Sequence, residues 1–242
     1  MSAVLVLASC GVQPGDTQAK GGVVTVFAAA SLQPAFDKIG ARLKTTVNIT
    51  TSFNYAGTQT LTAQLQQGAQ GEVFASADTA HMNTLQSAGL LSGSGRTFAH
   101  NKLQIAVAKG NPKGIKSLAD LARPGLVVVL ADPSVPAGKY AQQALNNVRV
   151  TVHPASLELQ VTAVLSKVAL GEADAGIVYV SDVATNGKVD GVTIPDDQNV
   201  VADYPIAVLK SAANAAGAQI FVDMVLSADG QAILKAAGFQ GV

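Results

Sequence analysis

The sequence is poor in several of the residue types that chemistry-bearing proteins lean on. It has no tryptophan, one cysteine and three histidines in 242 residues, and only 13% of its side chains are charged. One cysteine excludes a disulfide framework. Sixteen acidic residues balance sixteen basic ones, so no net field draws the chain to nucleic acid or to an anionic membrane. Aromatic residues make up 5% of the chain, too few to wall a pocket for an amino acid or a polyamine, which would also need an arginine or aspartate anchor. The histidines, His81, His100 and His153, are scattered and have no Cys, His or carboxylate at metal-ligand spacing. His81 falls in a polar helix and His100 in a loop, both expected to be solvated, whereas His153 before Pro154 reads as structural. Asp196 and Asp197 are adjacent in a turn, where carboxylates are ordinarily solvated. No nucleophile elbow, phosphate loop or dinucleotide fingerprint is present. An enzyme on the same architecture would have to work without a visible nucleophile or acid/base pair.

The amino terminus, MSAVLVLASC, is apolar but too short to span a bilayer. Leu7-Ala8-Ser9-Cys10 resembles a bacterial lipobox, which would make Cys10 an acylated mature N-terminus. The protein would then be exported and held at the membrane, facing outward, through that lipid anchor alone. Residues 11–22 are polar, Gly-rich and aperiodic, a tether. Residues 1–22 are therefore read as the remnant of a lipoprotein signal plus a flexible linker.

From Val23 onward, β-branched runs alternate with helical ones, the pattern of helices packed on a mostly parallel sheet. Strands are expected at 23–28, 47–53, 72–76, 102–109, 126–131, 175–180 and 204–210. Helices are expected at 31–43, 58–67, 79–89, 117–121, 138–146, 159–169, 215–226 and 228–236. Residues 185–200 read as turns. Pro205 implies that its strand lies at an edge or begins after the proline. The last helices are too few to stand alone and should pack back on the first lobe. This divides the chain into residues 23–102 plus 202–242 as one lobe and 103–201 as the other, joined by a two-segment hinge.

The strand-to-helix junctions are rich in small residues and hydroxyls. A helix start leaves amide donors unpaired and carries partial positive charge, the backbone's own anion site. Ser31 follows Ala28 to Ala30 and is expected to cap the next helix or to offer its hydroxyl and amide to a ligand. Thr58 follows Gly57 at a second helix start, Ala137 lies in Pro136-Ala137-Gly138 at a third, and Val161 sits in the first turn of a fourth. Tyr179 ends a strand, where its hydroxyl can enter a crevice. Lys139, one residue past Gly138, is expected to be solvated.

Five segments at these same places, VTVFAAASL (24–32), AGTQTLTAQLQQGAQGEVFASAD (56–78), VPAGKYAQQAL (135–145), GIVYVSD (176–182) and YPIAVL (204–209), resemble in order and spacing the molybdate-binding proteins of bacterial ABC importers. These belong to the type II periplasmic binding proteins. The resemblance implies a two-lobed α/β fold, no enzymatic activity, no cofactor, a monomer, and a membrane permease as partner. It also implies that molybdate or tungstate is held by Ser31 and Thr58 from one lobe and by Ala137, Val161 and Tyr179 from the other, with molybdenum present only as the oxyanion. The chain departs from the pattern at Gly57-Thr58-Gln59, where many members carry serines. A site made only of amides and hydroxyls suits a fully deprotonated dianion. Protonated phosphate would bring a proton that faces no acceptor, at a cost of about 1–3 kcal/mol. Sulfate carries the same charge as molybdate and differs in size alone.

Overall fold

The computed structural model describes residues 22–242. Cys10, the lipobox and the tether up to residue 21 lie outside the described residues. The order of elements is β1 (Val23–Ala29), a 3-10 turn (Ala30–Leu32), α1 (Gln33–Val47), β2 (Thr50–Ala56), α2 (Thr58–Gln66), β3 (Val73–Ala75), α3 (Thr79–Ser87) and β4 (Arg96–Ala108). A second 3-10 turn (Leu118–Ala122) then leads to β5 (Val128–Ala131), α4 (Pro136–Asn147), β6 (Ser156–Glu158), α5 (Val161–Ala169), β7 (Ala175–Tyr179), α6 (Val180–Asn186) and β8 (Val189–Thr193). The chain closes with β9 (Val201–Val208), α7 (Ala215–Leu226) and α8 (Ala228–Ala236).

Among the described residues the strands form one curled mixed sheet in the order β2-β1-β3-β9-β4-β7-β5-β6, with β8 beside β4. β1 pairs in parallel with β2 and β3, and β5 in parallel with β6 and β7. Every antiparallel pairing involves β4 or β9. β4 is the long strand that joins the halves. Its first part, Arg96 to Lys102, pairs with β9, and its second part, from Leu103 to Ala108, pairs with β7 and β8. The chain returns through Ile194–Val200 into β9. Because all six βα units begin from parallel strands within their half, the carboxyl ends of β1, β2 and β3 point one way in the first half. Those of β5, β6 and β7 do the same in the second. In open α/β sheets this end is where ligands sit.

Three sequence expectations are corrected. The strand expected at 102–109 begins at Arg96, because Phe98, Asn101 and Leu103 are buried and the segment from Arg96 to Lys102 pairs with β9. Residues 185–200 hold the end of α6 and all of β8, which the polar turn residues around Gly187 masked. Pro205 lies in a central strand, not at an edge. It stands opposite Thr97, where the β4–β9 register shifts between Thr97 and Ala99. A bulge of this kind relieves the need for the amide proton that proline lacks.

The core of the first half is aromatic. Phe36 of α1 meets Phe221 of α7 edge-on with ring centroids 5.4 Å apart, and α7 and α8 pack against α1 and β9. Tyr204 of β9 carries this cluster toward the second half, with its ring centroid 5.8 Å from that of Tyr179. In the second half the same core continues with smaller side chains, Val128, Val129, Val164, Val168 and Ile177, and a separate cluster around Phe27, Leu61 and Phe74 lies in the first half. Burial of each such side chain contributes roughly 1.5–3 kcal/mol.

Candidate functional site

Between the halves lies a small cavity lined by Ala29, Ala30, Ser31, Ala56, Gly57, Thr58, Ala77, Val135, Pro136, Ala137, Val161 and Tyr179. The structure brings all five candidate residues to it, although they are up to 148 positions apart in the chain (179 − 31). None of the lining side chains is charged. The cavity holds about 220 Å³ of unoccupied space including its mouth, below the roughly 300–1,000 Å³ of pockets for organic molecules.

Each residue reaches the cavity for a local reason. Ser31 is not the cap of α1. It sits inside the 3-10 turn that continues β1, and its hydroxyl lies 3.0 Å from Tyr204 Oη in a buried contact. Thr58 is the first residue of α2, after Gly57 as N-cap. Its Oγ1 accepts the Ala77 amide at 3.2 Å, which ties α2 to the end of β3. Ala137 follows Pro136 in the first turn of α4, the position where proline's missing donor costs nothing. Here Gly138 is required by sterics, since a Cβ would stand 2.1 Å from the Asp132 carbonyl oxygen. Val161 opens α5 after Gln160.

Four of the five helix starts at the cavity share a feature, α6 at Tyr179 being closed by Asp182. The N-caps of the first 3-10 turn (Ala29), α2 (Gly57), α4 (Val135) and α5 (Gln160) make no side-chain capping hydrogen bond. Amides in these first turns have no acceptor inside the helix. Residues of these turns line the cavity, which therefore sits at the positive ends of the peptide dipoles.

Tyr179 adds a hydroxyl. It is 1% exposed, and its Oη is buried with no hydrogen-bond partner. Burial pushes this hydroxyl well above its ordinary pKa, and neighbouring Tyr204, Tyr140 and Asp182 add to the shift. It is therefore a proton donor in search of an acceptor. Its own amide donates to Asp182 Oδ2 at 2.9 Å. Asp182 is buried and lies outside the cavity lining; burial raises its pKa to about 7, against the opposing bond from the Tyr179 amide.

Several supporting residues escaped the sequence reading. Tyr204 orients Ser31, and Asn101 Nδ2 donates to Ser181 Oγ at 2.8 Å just beneath. Tyr204 had a usable signal, because it shares the inward side of β9 with Ala202 and Ile206, and a tyrosine there needs a partner. His81, expected to be solvated, instead lies 2.9 Å from both oxygens of Asp78, and His100 lies 2.7 Å from Asp203. Burial opposes ionisation of Asp78, but the bonds from His81 and the charge of Lys139 hold its carboxyl below the usual range. Lys139 is exposed and does not line the cavity.

The chain is 49% identical over 229 residues to the molybdate-binding protein ModA of Mycobacterium tuberculosis H37Rv, covering 93% of this chain and 87% of that one. The substrate-binding domain of a putative molybdenum ABC transporter from Clostridium difficile superposes with a TM-score of 0.69 at 29% identity, covering 91% and 99% of the two chains. The Azotobacter vinelandii periplasmic molybdate-binding protein shares the fold with a TM-score of 0.78 at 22% identity, covering 89% and 98%. The family model described as bacterial extracellular solute-binding protein matches residues 24–240. With a periplasmic-binding-protein fold and a match along nearly its whole described length, the chain belongs to the bacterial extracellular solute-binding proteins and is an extracytoplasmic binder, not an enzyme.

Proposed function

We propose that the cavity captures a tetrahedral oxyanion, molybdate or tungstate, and presents it to the membrane permease of an ABC importer. One observation carries the reading. Uncapped helix starts from both halves of the sheet converge with the unpartnered Tyr179 hydroxyl on a cavity with no charged lining. Such a site offers donors in several directions and no carboxylate to receive a ligand proton, which favours a fully ionised dianion. Ser31 and Thr58 would bind from one side, and Ala137, Val161 and Tyr179 from the other. The molybdate-binding relatives and the transporter domain described above support the same ligand and partner.

In this reading residues 23–102 with 202–242 move as one lobe and 103–201 as the other, hinged where β4 passes Lys102 and where the chain returns into β9. Closure completes the set of donors, and the loaded closed form is what the permease recognises. The protein works as a monomer tethered through acylated Cys10.

Titration calorimetry with molybdate, tungstate, sulfate and phosphate tests the ligand. Micromolar or tighter binding of molybdate and tungstate, with phosphate far weaker, is expected; absence of heat with all four would end the proposal. Sulfate binding as tight as molybdate would make size discrimination the part to discard. Loss of acyl-chain labelling in Cys10→Ala tests the anchor, and unchanged labelling would remove it.

A further inference from the structure

The two halves touch at a second point, beside the cavity but outside its donor set. Gln59, in the first turn of α2, donates from Nε2 to the backbone oxygen of Leu159 at 2.8 Å, one hundred positions along the chain. Leu159 immediately precedes the N-cap of α5. The contact therefore joins the residue after Thr58 to the segment that leads into Val161. Among the described residues, the other side-chain hydrogen bonds between the halves are Asn101 to Ser181 and Lys102 to Asp196. Both involve β4 at its crossing, where the halves are covalently joined anyway.

Gly57 makes the approach possible. Its backbone, at φ −59° and ψ 139°, would suit any residue. Space is the constraint, since a Cβ on Gly57 would stand 2.3 Å from the Leu159 oxygen. Gly57 and Gln59 flank Thr58 in the chain.

We infer that Gln59, given room by Gly57, forms a clasp across the cleft mouth and sets how long the closed state lasts, although Gln59 itself does not line the cavity. The inference rests on the binding reading above. Gln59 is thus a positioning residue. The amide's other atom, Oε1, is buried with no partner, which offsets part of what the Leu159 bond contributes.

The test is stopped-flow tyrosine fluorescence with molybdate, which is unobstructed because tryptophan is absent. Gln59→Met keeps the side-chain length and removes the donor; molybdate should leave about 2- to 10-fold faster, with the association rate within about twofold of wild type. Gly57→Ala should speed release further, because the added methyl holds the halves apart. A Gln59→Met protein that releases molybdate at the wild-type rate would overturn the clasp, as would an equal loss in association alone. If wild type binds none of the oxyanions, the ligand assignment fails separately. The clasp is then judged by hydrogen exchange at residues 159–163, where faster exchange in Gln59→Met than in wild type supports it and identical exchange refutes it.

Discussion

Helices in this protein begin in two different ways. Away from the cavity, starts are closed by side chains: Asp78 accepts the His81 amide at α3, Asn214 the Gly217 amide at α7 and Ser227 the Gly230 amide at α8. Ser117 and Asp120 form a capping box at the second 3-10 turn. At the cavity, the starts at Ala29, Gly57, Val135 and Gln160 have no such cap; α6 at Tyr179 is the exception there, its amide taken by Asp182, and α1 is uncapped although its N-cap Leu32 does not line the cavity. A cap is worth about 1 kcal/mol, so the cavity-facing helices forgo stabilisation that the others take. The difference is intelligible if the unpaired amides are kept for a ligand. It also separates affinity from stability, since the same donors cannot serve a cap and an anion at once.

That contrast can be broken directly. Gln160 has the extended backbone of an N-cap, with φ −156° and ψ 148°. Gln160→Asp should cap α5 and place a negative charge beside the site. We expect molybdate affinity to fall by about 100-fold or more while the melting temperature rises by roughly 2–4 °C. Calorimetry and thermal unfolding on the same sample check this, and unchanged affinity in a stabilised variant would detach the amides from binding.

Tyr179→Phe removes the hydroxyl without a partner. Loss of a hydrogen bond to a charged ligand corresponds to roughly 10- to 100-fold weaker binding, with stability of the free protein equal or higher because a buried orphan has gone. Ser31→Ala should weaken binding by a similar or smaller factor but lower the melting temperature, because it strands Tyr204 Oη. Opposite signs of the two stability changes would be the informative result.

Asn214→Ala is the control from the other class of helix start. It should cost about 1 kcal/mol of stability and leave molybdate affinity untouched.

A pH slope is a separate expectation, read on stability alone. The carboxyl of Asp182, raised to about 7 in the fold, holds a proton that the unfolded chain has already released above about pH 4. The native state therefore binds more protons in this window, and the stability from this group falls as pH rises from about 4 to 7. Asp182→Asn should flatten that part of a melting-temperature profile, and an unchanged profile would mean that the carboxyl is ionised throughout.

Much of this arrangement was legible in the residues. Small residues before Ser31, Gly57 before Thr58, and proline at the first position of α4 mark junctions by local chemistry alone, and those junctions are where the cavity lies. What was not legible depends on partners far along the chain. Pro205 reads as an edge residue until its bulged neighbour Thr97 is known. Ser31 reads as a cap until Tyr204 takes its hydroxyl. His81 reads as a solvated side chain until Asp78 is found beneath it. β8 was hidden because Val189–Thr193 is short, interrupted by Gly191, and strand-like only beside β4.

The sequence by itself determined the alternation of strands and helices, the small-residue junctions and the exclusion of a disulfide framework, because these follow from near-neighbour periodicity and composition. Only the tertiary structure decided that the uncapped starts share one cavity, that the Tyr179 hydroxyl is left without a partner, and that Gln59 reaches Leu159. Those facts depend on which segments the curled sheet brings together, and a polar group's satisfaction is set by its neighbours in space.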